Sequence, residues 1–146
     1  MQENLSEALT SENDKYACAL SDRIVSESRI SDKWYEYLDV FASLLCHSKS
    51  LVRNRAIYML AANARWDRDG RFDGIISDFL LHITDDKPIT ARQCIKALVA
   101  IGEAKTEYIP LILKALKNAD LSKYKDTMRP LIEKDIEATV NELTNK

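Results

Sequence analysis

The sequence predicts an all-α fold of about seven helices arranged as stacked antiparallel pairs, and three observations carry that prediction. Apolar residues recur at three- and four-residue intervals along almost the whole chain, and no stretch sustains the alternation of a strand. Only three Gly and three Pro occur in 146 residues, against plentiful Ala, Leu, Ile, Lys and Glu, the composition of helices joined by short connections. One segment also repeats itself at a spacing near 40 residues, the mark of a helical-repeat architecture. With 46% hydrophobic residues and a formal net charge of -2, the chain can support a core, and its length fits a single domain over 1–146.

Each element has its own signal. Tyr16, Ala17, Leu20, Ile24 and Val25 share one helical stripe, so residues 12–28 form an N-terminal capping helix closing near "SESRIS". Ser31 or Asp32 caps a second helix, "KWYEYLDVFASLLCH", with Trp34, Tyr37, Leu38, Phe41, Leu44 and Leu45 on one face. The third, "SLVRNRAIYMLAANAR", places Val52, Ala56, Met59, Leu60 and Asn63 about one turn apart. "WDRDGRFD" breaks the pattern and contains Gly70, so it is a turn. "FDGIISDFLLHI" is a helix again, and after "TDDKP" Pro88 takes the first helical position of a helix running through Gly102. "TEYIPLILKALKNA" follows, with Pro110 in its first turn, and a last helix runs from about Thr127 to Asn141.

These helices fall into pairs, giving repeat units of about 33–65, 71–103 and 106–142. Arg53 in "LVRNRAIYML" and Arg92 in "ITARQCIKAL" stand 39 residues apart. The positions three, six and nine residues on are Ala56 and Ile95, Met59 and Leu98, Ala62 and Ile101, all small or apolar. An amphipathic helix pair cannot bury its apolar face alone, so it stacks on a neighbour, and Ala56, Ala91 and Ala97 let helices approach closely.

"DDKPITARQCIKALVAIG" and "SKSLVRNRAIYMLAANA" resemble the turn and second helix of a HEAT repeat: an acid, often a proline, a basic residue, then a small-plus-aliphatic helix. The resemblance covers residues 33–118; the second segment lacks the turn acid. In the last helix Arg129 falls 37 residues after Arg92, and Lys134 and Asp135 interrupt the apolar spacing, so that helix is expected to be a degenerate terminal repeat. The resemblance implies a right-handed α-α superhelix whose second helices line a concave, partner-binding face. The polar termini lead us to expect a complete domain.

Catalysis finds little to stand on. His47 and His82 are the only histidines, each near a helix end where the helix polarity suits it. No metal-ligand spacing, phosphate loop or nucleophile elbow occurs, so neither a cofactor nor a metal is expected. "DRDG" echoes a calcium loop for four residues only and reads as a turn. Cys18, Cys46 and Cys94 are odd in number and lie within apolar helical patterns, which reads as reduced core thiols in a cytoplasmic protein. No basic-then-apolar leader is visible, and no run reaches the roughly 18 apolar residues of a membrane span.

Charge is segregated. Residues 1–39 hold nine acids against four bases, whereas 40–72 hold six bases against two acids. The basic block is Lys49, Arg53, Arg55, Arg65, Arg68 and Arg71, with Trp66 inside it. Together with Arg92 and Lys96 on the next repeat, Arg53, Arg55, Arg65, Trp66 and Arg68 make the candidate partner-binding face. The competing structural reading pairs the block with the acidic N-terminal segment, and pairs Arg92 with Asp85 or Asp86. The function expected is therefore a non-enzymatic interaction module or scaffold holding a protein or peptide. The alternative is nucleic-acid binding: some bacterial HEAT-like proteins are DNA glycosylases for alkylated bases with a basic, tryptophan-containing channel, to which Trp66, Asp67 and the arginines bear a faint similarity. A negative net charge argues against it.

Overall fold

Leu9, Ala17, Ile24, Leu38, Phe41, Val52, Ala56, Met59 and Leu60 lose all contact with solvent, and their spacing dictates the first four helices. The computed structural model describes residues 2–145. Among these it is all-α, with eight α-helices and no strand. The chain divides into two compact units, one ending at Arg71 and the other beginning at Phe72. The division falls beside Gly70, whose φ of 73° only glycine adopts without strain.

The first unit holds α1 (Gln2–Leu9), α2 (Asp14–Ser28), α3 (Leu38–Ser43) and α4 (Ser50–Asn63). Asn13 caps α2 by accepting the Tyr16 N–H at 3.2 Å. Helix α1 packs on α2, α3 on α4, and the two pairs meet through α2 and α4. Two expectations change here. Helix α1 was not anticipated, because Leu5, Ala8 and Leu9 are too few to make a periodic signal by themselves. The second expected helix is shortened to α3 flanked by 3-10 turns at Tyr35–Tyr37 and Leu44–Cys46, so Trp34 and Tyr37 lie half-buried rather than in the core.

The second unit holds α5 (Ile76–Leu80), continued by a 3-10 turn at Leu81–Thr84, then α6 (Pro88–Ala104), α7 (Ile109–Lys117) and α8 (Arg129–Thr144). Asp85 closes the turn before α6 by accepting the Lys87 N–H at 2.9 Å, and Pro88 begins the helix. Helix α6 packs on α8 along most of its length. At Gly102 the approach is so close that a Cβ would stand 2.6 Å from a methyl of Leu143. Ile95, Leu98, Ile101, Ile112, Leu116, Ile132 and Leu143 fill the space between these helices.

The cysteine expectation is corrected at two of three positions. Cys94 is buried and donates to the Phe79 carbonyl oxygen at 3.4 Å, and burial pushes its thiol well above the ordinary value. Cys18 and Cys46 are exposed, because each lies on the outward side of its element rather than on the apolar stripe.

Candidate interaction surface

The predicted basic face is where charge and exposed backbone meet, and most of its donors already have acceptors. Arg53 Nη1 donates to the carbonyl oxygens of His47 and Ser48, 3.0 Å each. Arg55 is only 6% exposed; its Nη1 donates to the Leu9 carbonyl at the end of α1 at 3.1 Å, and its Nη2 lies 3.4 Å from the Asp14 carboxylate. Lys49 reaches the same carboxylate at 2.6 Å, and hydrogen bonding to Lys49 is the main reason Asp14 is held below the usual carboxylate range. Beyond the far end of α4, Arg65 and Trp66 turn back to the C-terminal end of α2. Arg65 Nη1 donates to Arg29 O at 2.9 Å and Trp66 Nε1 to Ser28 O at 2.7 Å. They satisfy carbonyls that a helix end leaves unpaired, and Arg65 also neutralises the negative end of the dipole. Arg68 pairs with Asp32 at 2.8 Å, with both side chains exposed.

The basic block thus lies against the acidic N-terminal segment of its own unit. Arg55, expected on an open binding face, is instead an interior strut: charge buried in protein must be paired, and α1, α2 and α4 converge on it. Arg53 and Arg55 open α4, whereas Arg65, Trp66 and Arg68 follow its far end, about 20 Å away for a 14-residue helix. They do not form one patch.

Arg92 and Lys96 lie on α6 in the second unit. Arg92 Nε donates to Asp135 Oδ2 at 2.6 Å and Nη2 to Oδ1 at 3.4 Å, a two-pronged contact that raises the guanidinium above its ordinary pKa. Lys96 Nζ stands 3.9 Å from the same carboxylate with most of its side chain exposed. The expected partners, Asp85 and Asp86, are therefore replaced by an acid 43 residues onward. Asp135, which looks like an interruption of the apolar pattern of α8, is the buried end of this ion pair. Arg129 adopts the Arg53 arrangement, donating to the Tyr124 carbonyl five residues behind it at 2.7 Å.

The "DRDG" segment is a closed turn. Asp67 accepts the Arg71 N–H at 3.0 Å and the Tyr35 hydroxyl, and burial together with that acid drives Tyr35 up to about 12. His47 Nδ1 accepts the Lys49 N–H, and His82 Nδ1 donates to Asp78 O. Among the described residues no group of three or more His, Cys, Asp or Glu is placed to hold a metal, and no helix is long and apolar enough to cross a membrane.

Among the described residues two concave surfaces stand out, each within one unit, and neither was anticipated from the sequence. In the first unit Trp34 and Tyr37, with ring centroids 5.7 Å apart, stand between the α1 residues Leu5 and Ala8 and the charged pair Arg23 and Lys33. Glu27 gathers this cluster: it accepts from Trp34 Nε1 at 2.9 Å, and hydrogen bonds from Trp34 and Lys33 pull its carboxyl down to about 2. In the second unit a groove of about 400 Å³ lies between residues 80–84 and 115–123. Leu80, Leu81, Ile83, Ala115 and Ala119 line it together with the polar Thr84, Asn118, Asp120, Ser122 and Lys123. Leu81 is left 70% exposed.

No family model matches this sequence, and comparison with curated proteins and with solved structures finds no match.

Proposed function

We propose that this protein is a non-enzymatic interaction module, built from HEAT-like helix pairs, that holds a protein or peptide partner. The observation that carries this reading is the open groove of the second unit, where several aliphatic side chains line a concavity and Leu81 stands largely in water. A groove lined by both aliphatic and polar side chains suits insertion of a partner's side chains. The sequence resemblance supports the same reading, since repeated helix pairs offer extended surfaces for binding. The binding surface favoured is this groove rather than the arginine face. Arg53, Arg55, Arg65, Arg68 and Arg92 are engaged by carbonyls and carboxylates of their own units. That engagement also weakens the nucleic-acid alternative, which would draw on the same cations.

The test is an affinity capture from lysate of the source cells, with and without nuclease, comparing wild type with Leu81→Asp and with Arg65→Glu/Arg68→Glu. A stoichiometric protein retained after nuclease, lost with Leu81→Asp and kept with the arginine variant supports the module and its groove. Recovery only of nucleic acid, abolished by nuclease and by the arginine substitutions, would replace this reading with the nucleic-acid one.

A further inference from the structure

We propose that residues 118–128 form a strap along one side of the second unit's groove, and that Tyr124 is the clasp that holds the strap to the turn before α6 and so sets the groove's width. The groove's use in binding rests on the interaction-module reading; the clasp itself does not. Residues 118–120, 122 and 123 of the strap line the groove, which residues 80–84 bound on the other side. The strap contains no helix, and its backbone–backbone hydrogen bonds all stay within four residues. Its own backbone therefore does not fix its distance from residues 80–84.

One side chain does. Tyr124 is the strap's one buried residue, 4% exposed, while Ser122, Lys123 and Lys125 around it stand in water. Its hydroxyl donates to Asp85 O at 2.6 Å, a carbonyl 39 residues away in the chain. Burial above all, with Asp85 and Asp86 nearby, pushes that hydroxyl up to about 12, so it keeps its proton and its bond at neutral pH. The receiving turn is fixed in its own right, because the Asp85 carboxylate accepts the Lys87 N–H at 2.9 Å. The strap's far end is fixed by α8: Arg129 donates to Tyr124 O at 2.7 Å and to Leu121 O at 3.4 Å. Among the described residues the strap has one other polar tie to that turn, Lys123 with Asp86 at 3.5 Å, which is exposed on both sides and contributes little. A segment anchored through a single buried side chain opens locally at a lower free energy than the helices beside it. When it opens, Ser122 and Lys123 leave the 80–84 side and the groove widens. Tyr124 thereby limits the size of side chain that the closed groove admits.

The experiment measures the distance across the groove in the full-length protein by electron–electron resonance between nitroxides at Leu81→Cys and Ser122→Cys. The exposed Cys18 and Cys46 are replaced by serine and the buried Cys94 is kept. One narrow distribution is expected with Tyr124 in place. Tyr124→Phe keeps the ring and removes the hydroxyl, and should add a population at longer distance. In the unlabelled Tyr124→Phe protein, amide exchange at Ser122, Tyr124 and Met128 should quicken about tenfold, as a buried carbonyl loses its donor. Exchange at Leu98 in α6 and Thr139 in α8 should stay as it was. Lys123→Gln should alter exchange in the strap by less than about twofold. Unchanged distances and exchange in Tyr124→Phe overturn the clasp. Quickening that spreads equally to Leu98 and Thr139 also overturns it, since Tyr124 would then be an ordinary part of the core. No partner enters these measurements, so failure of the clasp and failure of the interaction-module reading, which the Leu81→Asp capture tests, are told apart.

Discussion

The two units solve one problem, how to tie a helix pair to the next, with different chemistry. In the first, side-chain donors from α4 and the turn after it seek backbone: Arg55 takes Leu9 O, Arg65 takes Arg29 O, and Trp66 takes Ser28 O. In the second, the tie between α6 and α8 is a side-chain ion pair, Arg92 with Asp135, reinforced by the Thr139 hydroxyl on Ile95 O at 3.1 Å. A carbonyl at a helix end is present whatever residue supplies it, so the first unit's anchors tolerate sequence change at the acceptor. In the second unit the charged tie depends on one carboxylate, although Thr139 and Tyr124 also bond backbone carbonyls. The ties of both units nevertheless reach a similar distance along the chain: 35 residues for Lys49 to Asp14, 38 for Trp66 to Ser28, 39 for Tyr124 to Asp85 and 43 for Arg92 to Asp135.

That difference can be broken most directly at Asp135. Asp135→Ala leaves Arg92 without its partner in a largely buried site and should cost about 3 kcal/mol, read as a lowered urea midpoint. Asp135→Asn, which keeps an acceptor, should recover part of that loss. Arg55→Leu should cost about 2 kcal/mol, because the Leu9 carbonyl and the Asp14 carboxylate lose a buried donor. In hydrogen exchange its effect should centre on α1 and the start of α2, leaving α8 as protected as before. Equal loss of protection in α8 would show that the two ties are not separate. Trp66→Phe keeps an aromatic side chain but loses the N–H to Ser28 O with part of the indole's packing, so at least about 1 kcal/mol is expected in the same urea experiment.

Acid sharpens the contrast without mutation. Glu27 in the first unit has a folded pKa of about 2 against an ordinary 4.5, chiefly through the Trp34 and Lys33 hydrogen bonds. A depressed carboxylate contributes stability above its unfolded value, and that contribution disappears as pH falls from 4.5 through 2. The stability difference between wild type and Glu27→Gln should therefore be present at pH 7 and shrink at pH 2.5. The smallest effect belongs to Arg68→Ala: its ion pair with Asp32 is exposed on both sides, so less than 1 kcal/mol is expected.

How much of this could be read from the sequence follows from the range of each interaction. The all-α fold and the positions of α2, α4, α6 and α7 were legible because periodicity is local. Helix α1 was not, since its docking depends on Arg55, 46 residues from the carbonyl it binds. The opposite charges of segments 1–39 and 40–72 were visible, but which arginine would be buried was not. Arg53 and Arg55 differ by two positions, hence by more than half a helical turn, and only the partner helices decide which points inward. Arg92 was matched to the nearest acids in sequence, whereas a helix pair folds a distant one against it. The groove escaped notice because neither Leu80 and Leu81 nor Ala115 and Ala119 is unusual until the structure sets them on facing walls.

Asp135 has a consequence for how α8 finds its place. A slip of one turn along α6 would move the carboxylate about 5.4 Å from Arg92 and give up its two-pronged contact, with only the exposed Lys96 one turn on to receive it. Eight residues on, the same slip would take Leu143 out of the notch over Gly102 and bring a neighbouring residue to it. An aliphatic seam alone would accept several such alignments at similar energy. With a charge at one point and a missing side chain at the other, the seam works as a two-pin key that admits a single alignment.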